Sequence, residues 1–254
     1  MKLRVLGCYG AKMPGYATSA FLVGDSILLD AGAVTSRLTL KEQVKIRSVL
    51  ISHTHIDHLK DVLFLADNIQ GRNSHSIYIY GSRGVVRAIQ KNLFNWKIWP
   101  DFTKIPSPRH PMVRFKVIPV GKKFRVEGRR VLAFKSNHTV ESVGYLVEGD
   151  KGWLLYSGDT GPNPKMWKLV NAIGNVKAMI VDVSFPNEME KLARVSRHMT
   201  PRMLEEDMKH LKDRGVKIYI FHMKPAYLQT ISRELRKLTD PPVTILSPGT
   251  KIEF

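Results

Sequence analysis

The sequence predicts an α+β protein in which two β-sheets pack together and helices cover their outer faces. Short apolar runs with strand spacing alternate with runs of helical spacing along the chain. The 254 residues can bury a substantial core without disulfides. No repeat, low-complexity segment or linker divides the chain, so we expect a single domain over residues 1–254, built from two similar halves.

The first half of the chain begins with four strands and continues with helices. The strands are predicted from short apolar runs at Leu3–Leu6, Ser19–Val23, Ile27–Asp30 and Val49–Ser52. Apolar residues at helical spacing from Leu59 to Ile69 predict a helix that starts near Asp57. A strand at Ile77–Tyr80 and a helix at Gly84–Phe94 follow, and residues 95–111 form a loop rich in proline and aromatic residues.

The second half repeats the order of strands followed by alternating helices and strands. Its predicted strands are Val113–Val120, Val131–Lys135, Gly144–Glu148, Trp153–Ser157, Val176–Ser184 and Val216–His222. Helices are predicted at Pro164–Ile173 and Thr200–Arg214, with Thr200 as N-cap and Pro201 at the first helical position. A last helix and short closing strands complete the pattern.

Composition narrows the setting of the protein. No apolar run is long enough for a membrane span, and the N-terminus resembles a first strand more than a signal peptide. Cys8 is the sole cysteine, which excludes an intramolecular disulfide, so we predict a cytoplasmic protein. The net charge of +18 suits a nucleic-acid partner, capture of a small anion, or a generally basic surface. Because the basic residues are scattered, a dedicated nucleic-acid partner is not favoured.

The segment S-H-T-H-I-D-H, residues 52–58, concentrates side chains that bind metals. Residues two apart in an extended segment point the same way, so His53 and His55 can hold one ion. Asp57 and His58, at the start of the following helix, can face a second ion. Imidazole and carboxylate ligands suit zinc, iron or manganese, and zinc is the predicted metal.

Three more residues of ligand type end apolar strands elsewhere in the chain. His138 lies in S-N-H-T, Asp159 in S-G-D-T and His222 in F-H-M-K. Functional sites gather where strand ends converge, so we expect these residues to join the first cluster. The combined set suits two divalent ions about 3.5–4 Å apart with a bridging carboxylate.

The order H-T-H-I-D-H, distant His, G-D-T and final His resembles the metallo-β-lactamase superfamily. The resemblance implies an αββα sandwich of two mixed β-sheets with two metal ions at its edge. It also implies the ligand sets, with Asp159 bridging: His53, His55 and His138 for one ion, and Asp57, His58 and His222 for the other.

Longer segments are similar to the class II 3′,5′-cyclic nucleotide phosphodiesterases within that superfamily. They are L-F-N-W-K-I-W-P-D-F-T-K-I-P-S-P, N-H-T-V-E-S-V-G-Y and Y-S-G-D-T-G-P. The resemblance implies hydrolysis of cyclic AMP or cyclic GMP to the 5′-nucleotide by a hydroxide that bridges two ions, and a homodimer. Trp96, Trp99 and Phe102 are predicted either to stack on the purine or to pack under their loop.

A second likeness involves V-D-V-S-F at 181–185 and S-R-H-M-T at 196–200. These are similar to a segment of the transfer-RNA 3′-processing endonucleases, in which a glutamate pairs with a histidine near the metals. Asp182 and His198 occupy the matching positions, and Arg197 stands where glycine is common. We predict that His198, oriented by Asp182, protonates the leaving oxygen, and that Asp57 helps to hold the attacking hydroxide.

Other functions are weighed against the phosphodiesterase. A metal-dependent RNA-processing endonuclease is the alternative, favoured by the net charge and by the Asp182–His198 pair. That branch grips transfer RNA with a protruding arm, and the sequence shows no glycine-rich insertion for one. The complete metal-ligand set disfavours a non-catalytic nucleotide-binding module, and the W-P-D-F segment disfavours a lactamase or thioester hydrolase.

Overall fold

The computed structural model describes residues 1–72 and 75–254, and its strands form two seven-stranded sheets. The strands are β1 (Lys2–Gly7), β2 (Ala20–Val23), β3 (Ile27–Leu29), β4 (Ser48–Leu50), β5 (Ile77–Gly81), β6 (Val113–Val117), β7 (Lys123–Val126), β8 (Arg129–Lys135), β9 (Val143–Glu148), β10 (Trp153–Tyr156), β11 (Val176–Asp182), β12 (Lys217–Phe221), β13 (Val243–Ile245) and β14 (Lys251–Glu253). The helices are α1 (Leu40–Gln43), α2 (Ile56–Leu59), α3 (Asp61–Ile69), α4 (Arg83–Asn92), α5 (Pro164–Ile173), α6 (Glu190–Ser196), α7 (Pro201–Met208) and α8 (Leu228–Leu235).

Both sheets are mixed, and they follow the same plan. The first has the order β14-β1-β2-β3-β4-β5-β6, antiparallel up to β3 and parallel from β3 to β6. The second has the order β13-β12-β11-β10-β9-β8-β7, parallel from β13 to β10 and antiparallel beyond. The predicted pair of mixed sheets is therefore confirmed.

Apolar side chains form three layers of core, which explains the order helix, sheet, sheet, helix. One layer joins the facing sheets and contains Phe21 of β2 and Tyr156 of β10. Leu22 of β2 points the other way, into a second layer beneath α3 and α4. This division follows from the alternation of side chains along a strand. A third layer packs α5, α7 and α8 against the second sheet.

Some predicted elements differ from the observed ones. The strand predicted over Val113–Val120 ends at Val117, and Pro119 lacks the amide hydrogen that a continuing ladder needs. Strand β7 was not predicted; it pairs with β8 through a turn at Glu127 and Gly128, both with positive φ. Helices α1 and α6 were also not predicted.

The helix predicted over Thr200–Arg214 is shorter in the structure. It ends at Met208, and the chain turns so that the Asp213 carboxylate accepts a hydrogen bond from the Gly215 amide at 2.9 Å. Its start is as predicted: the Thr200 hydroxyl accepts from the Met203 amide at 3.3 Å, and proline follows at the first helical position. In the described part of the chain, no helix has the length and apolar character that a membrane crossing requires.

Removing the indole of Trp167 is expected to destabilise the fold strongly. Trp167 is fully buried in the layer under α5, and its Nε1 donates to the buried Asp207 carboxylate at 2.7 Å. Trp167→Ala leaves a cavity and removes a donor from a buried acid, so the free energy of unfolding should fall by about 3–5 kcal/mol. Guanidinium titration measures this. Trp96→Ala, at a side chain 60% exposed, should change it by less than about 0.5 kcal/mol.

Candidate metal centre

The predicted ligands converge at one edge of the sandwich, where parallel strands of both sheets end. Strand β4 leads into His53, β10 into Asp159 and β12 into His222. Their side chains form three overlapping groups, and within each group the ligand atoms lie within 4.8 Å of one another. The groups are His53, His55, His138 and Asp159; Asp57, His58 and His222; and Asp159, His198 and His222. The structure thus brings together every residue predicted for the two ion sites, with His198 beside them.

The turn between β4 and α2 presents four of these side chains. His55 is the N-cap of α2, which begins at Ile56, so Asp57 and His58 fall in its first turn. The turn is held down by the Ala31 amide, which donates to the His58 carbonyl at 2.6 Å. Gly32 is required here because a Cβ would lie 1.8 Å from the Asp57 carbonyl oxygen.

A buried carboxylate, Asp30, orients two histidines of the first half, His53 and His58. It accepts hydrogen bonds from His58 Nδ1 at 2.7 Å, Ser52 Oγ at 2.7 Å and Tyr156 OH at 2.5 Å. Because the Ser52 hydroxyl donates to Asp30, its lone pairs accept from His53 Nδ1 at 2.9 Å. Both histidines thus hold a hydrogen on Nδ1, and their Nε2 atoms point into the centre.

Asp182 plays the same part in the second half. It accepts from His198 Nδ1 at 2.7 Å and from Ser184 Oγ at 2.7 Å. The Ser184 hydroxyl in turn lies 2.9 Å from His222 Nδ1 and accepts its hydrogen. In each half, an aspartate at a strand end thus holds one histidine directly and another through a serine. The repeat of the fold extends to the groups that position the ligands.

His138 is held by the backbone and side chain of Arg197. Its Nδ1 lies 3.2 Å from the Arg197 carbonyl oxygen, and the guanidinium donates to the His138 carbonyl at 2.6 Å. Three non-glycine residues of the site adopt left-handed backbone: Asp30, Arg197 and His222, with φ of 55°, 53° and 70°. Such backbone costs about 1–3 kcal/mol per residue and persists where surrounding contacts hold it.

The donor atoms fit a bound cation. His58 Nε2 and His222 Nε2 face each other at 3.2 Å although both rings hold a hydrogen on Nδ1, so a cation or a proton must lie between them. His53 Nε2 and Asp159 Oδ1 are buried and have no hydrogen-bond partner in the described structure. Buried polar atoms rarely stay unpaired, and a divalent ion satisfies them all.

The pKa shifts differ within the centre: His53 is kept neutral, whereas the surroundings of Asp159 and His58 favour positive charge. Burial lowers the pKa of His53 well below its ordinary value, so this imidazole is neutral and able to coordinate. Burial opposes the charged form of Asp159, but His222 and His58 outweigh it and lower the pKa of that carboxyl. Burial likewise opposes charge on His58, yet Asp159 and Asp30 raise its pKa well above the usual range. A proton on His58 or a bound cation satisfies the same carboxylates.

His198 lies beside the ligand cluster and has a raised pKa. Burial opposes its protonation, but the Asp182 carboxylate raises its pKa above the ordinary value. Its ring stacks on that of His222, with centroids 5.1 Å apart. Since Nδ1 is engaged by Asp182, Nε2 is the ring nitrogen that remains for a substrate.

The three aromatic residues of the proline-rich loop differ in exposure. Trp96 is 60% exposed. Trp99 is partly buried, and its ring meets that of Phe64 at 5.2 Å. Phe102 is 1% exposed and packs edge-on against Phe94, so it has no free face in this structure. The stacking prediction therefore narrows to the two tryptophans, and packing under the loop holds for Phe102.

Sequence reasoning missed several residues that support the site. They are Asp30, Ser52, Ser184 and Tyr156. Asp30 had a usable signal, since it ends the apolar run I-L-L just as Asp159 ends W-L-L-Y-S-G. Ser184 and Tyr156 carried none, because only the fold brings their hydroxyls to Asp182 and Asp30.

The sandwich of two mixed sheets and the strand-end cluster of histidines and aspartates define a metal-dependent hydrolase that binds divalent cations. The chain belongs to the family described as the beta-lactamase superfamily domain, whose model matches residues 26–223. The resemblance noted in the sequence is thereby confirmed.

Known proteins with similar sequences or folds include cyclic-nucleotide phosphodiesterases and ribonucleases Z. A probable 3′,5′-cyclic-nucleotide phosphodiesterase of Yersinia pestis is 26% identical over 253 residues, 90% of this chain and 71% of that protein. Ribonuclease Z of Methanopyrus kandleri is 25% identical over 132 residues, 50% of this chain and 42% of that protein. The crystal structure of unliganded yeast PDE1 matches with a TM-score of 0.86 at 19% identity, covering 100% of this chain and 99% of that one, which shows a common fold.

Replacing Ser184 with alanine tests the serine link in the second half. The change leaves His222 Nδ1 without its acceptor, so metal affinity should fall about 10–100-fold. Titration of the apoprotein with Zn²⁺ against a competing chelator measures this. Ser36→Ala is the matched control, at an exposed serine outside the centre, and should bind as the parent does. Equal affinity in both variants would show that Ser184 does not position His222.

Proposed function

We propose that this protein is a phosphodiesterase that hydrolyses 3′,5′-cyclic nucleotides to 5′-nucleotides at a centre of two divalent ions. One geometric observation carries the proposal: the His198–Asp182 pair lies beside the ligand cluster, because a ring nitrogen of His198 lies within 4.8 Å of donor atoms of Asp159 and His222. Opening a cyclic phosphodiester releases an alkoxide, which needs a proton from such a group. The similarity to the Yersinia pestis protein supports the choice of substrate.

The residues divide into two ion sites and one acid. His53, His55 and His138 would hold one ion, Asp57, His58 and His222 the other, and Asp159 would bridge them. When bound, the ions would activate a water molecule and neutralise the charge that builds on the phosphate. We propose zinc for both sites, because imidazole and carboxylate donors suit it.

The protein's own groups then guide the proton and the substrate. His198 donates the hydrogen on Nε2 to the departing O3′, while Asp182 keeps Nδ1 protonated and the ring oriented. Asp57 is placed to accept a hydrogen from the attacking water, since its side chain is 25% exposed at the mouth of the centre. Trp96 offers an exposed ring for the purine, worth about 1–3 kcal/mol if a base stacks on it.

An RNA-processing endonuclease is the second candidate, supported by three observations. The Asp182–His198 pair is formed, as the alternative predicts, and the net charge of +18 would attract a polyanion. Ribonuclease Z of Methanopyrus kandleri matches half of this chain. A cytoplasmic location and a homodimer stay predictions under either function.

A substrate panel separates the two candidates. Zinc-loaded protein should hydrolyse cyclic AMP or cyclic GMP and leave a precursor transfer RNA and a thioester essentially intact. Mass spectrometry of the nucleotide product should show the 5′-monophosphate. Cleavage of the precursor RNA without turnover of either cyclic nucleotide would overturn the proposal in favour of the endonuclease.

A further inference from the structure

A cavity of about 640 Å³ lies apart from the metal ligands, between helix α8 and the ends of strands β12 and β13. We call it the α8 cavity; Tyr9, Met223, Arg233, Arg236 and Ile245 are among its lining residues. None of the residues proposed as metal ligands lines it. Its volume falls in the range of about 300–1,000 Å³ that is usual for small-molecule sites.

The walls of the α8 cavity differ in chemistry. One wall is mostly apolar: it carries Tyr9, Ile245 and the nearly buried Met223, and Ser247 is its polar member. The other wall is one polar side of α8, formed by residues three, four and seven positions apart: Gln229, Ser232, Arg233 and Arg236. Ile231 and Leu235 are buried on the opposite side of the helix. Because the helix is amphipathic, its polar side therefore faces the cavity.

The two arginines have no acidic partner. Among residues 1–72 and 75–254, no carboxylate lies within 4.0 Å of either guanidinium, and no aspartate or glutamate lines the cavity. Arg233 makes only a 3.5 Å contact with the Thr230 hydroxyl of its own helix. Like charges one turn apart on a helix repel each other, and an anion placed between them relieves the repulsion.

We propose that the α8 cavity is a second ligand site, which binds a nucleoside monophosphate. Guanidinium groups form paired, charge-assisted hydrogen bonds with phosphate oxygens, so Arg233 and Arg236 would hold the phosphate. The flat, largely apolar base would lie against the partly exposed side chains of Tyr9 and Ile245. This site does not depend on the proposed reaction, because it shares no residue with the metal centre.

Calorimetric titration of the zinc-loaded full chain with 5′-AMP tests the proposal. We expect a binding component that persists in Asp159→Ala, in which the metal centre is disabled. In the double variant Arg233→Gln/Arg236→Gln, its dissociation constant should rise about tenfold or more, because two charge-assisted contacts are lost. Lys237→Gln is the matched control: it removes one exposed charge next to Arg236 but outside the cavity, and should bind as the parent does.

Several results would overturn the proposal. They are unchanged affinity in the double arginine variant, loss of the whole signal in Asp159→Ala, and no binding of 5′-AMP at all. Inorganic phosphate should bind about tenfold or more weakly than 5′-AMP, since it cannot use the apolar wall. Equal affinities for the two would refute a nucleoside ligand. Thermal unfolding of each variant confirms that the exposed substitutions leave the fold intact.

Discussion

Asp159→Ala is expected to abolish hydrolysis and to release bound metal. Asp159 Oδ1 lies 3.2 Å from His58 Nε2, and Oδ2 lies 3.2 Å from His222 Nε2 and 3.6 Å from His53 Nε2. It therefore faces donors of both proposed ion sites at once. Metal affinity should fall by more than about 100-fold, since residues that merely support ligands already cost about 10–100-fold. Elemental analysis after dialysis measures the metal content.

The control for this experiment is Asp25→Ala, at an exposed aspartate in the turn between β2 and β3. It removes the same charge and should keep metal and activity. Removing Asp159 also takes an ionised carboxylate from a cluster of histidines, so unfolding should be followed with and without zinc. Full metal retention by Asp159→Ala would refute the bridging role.

His198→Ala should separate substrates by their leaving groups. For cyclic AMP, kcat should fall about 10²–10⁴-fold, the usual contribution of a positioned acid. For bis(p-nitrophenyl) phosphate, the fall should stay below about tenfold, because a nitrophenolate leaves without needing a proton. Steady-state kinetics with both substrates, at equal metal content, measure the difference.

Asp182→Asn is expected to show the same dependence on substrate to a lesser degree. Asp182 accepts a hydrogen bond from His198 Nδ1, so we expect it to act by positioning the ring. His210→Ala, at an exposed histidine, is the matched control and should leave both substrates unaffected. Equal losses on both substrates in His198→Ala would remove His198 from the acid role and leave it a structural or metal-binding one.

The two halves of the chain support their histidines by one shared device. Asp30 directly follows β3 and Asp182 is the last residue of β11; each binds one histidine directly and reaches a second through a serine hydroxyl. A hydroxyl that donates to a carboxylate accepts a hydrogen bond from the imidazole, and this fixes which ring nitrogen is left for a metal. Because this arrangement occurs in both halves, Ser52 and Ser184 can be compared directly by mutation.

The fold could be predicted well where pattern and chemistry agree. Apolar runs placed the central strands correctly, and the Thr200–Pro201 signal placed the start of α7. Elements with little apolar character escaped notice: β7 alternates charged residues on an exposed edge, and α6 exposes most of its side chains. Periodicity depends on one buried face, so elements that bury little give a weak signal.

The sequence by itself determined which side chains can bind metal. H-T-H-I-D-H places three histidines and an aspartate in six residues, and an ordinary surface turn has no structural need for such side chains. It also marked His138, Asp159 and His222, through their places at strand ends. Only the tertiary structure decided how these side chains are oriented. Tyr156 lies 126 residues from Asp30 and Arg197 lies 59 from His138, yet both pairs are hydrogen-bonded. Such contacts depend on how the two sheets pack, and a linear pattern carries no record of that packing.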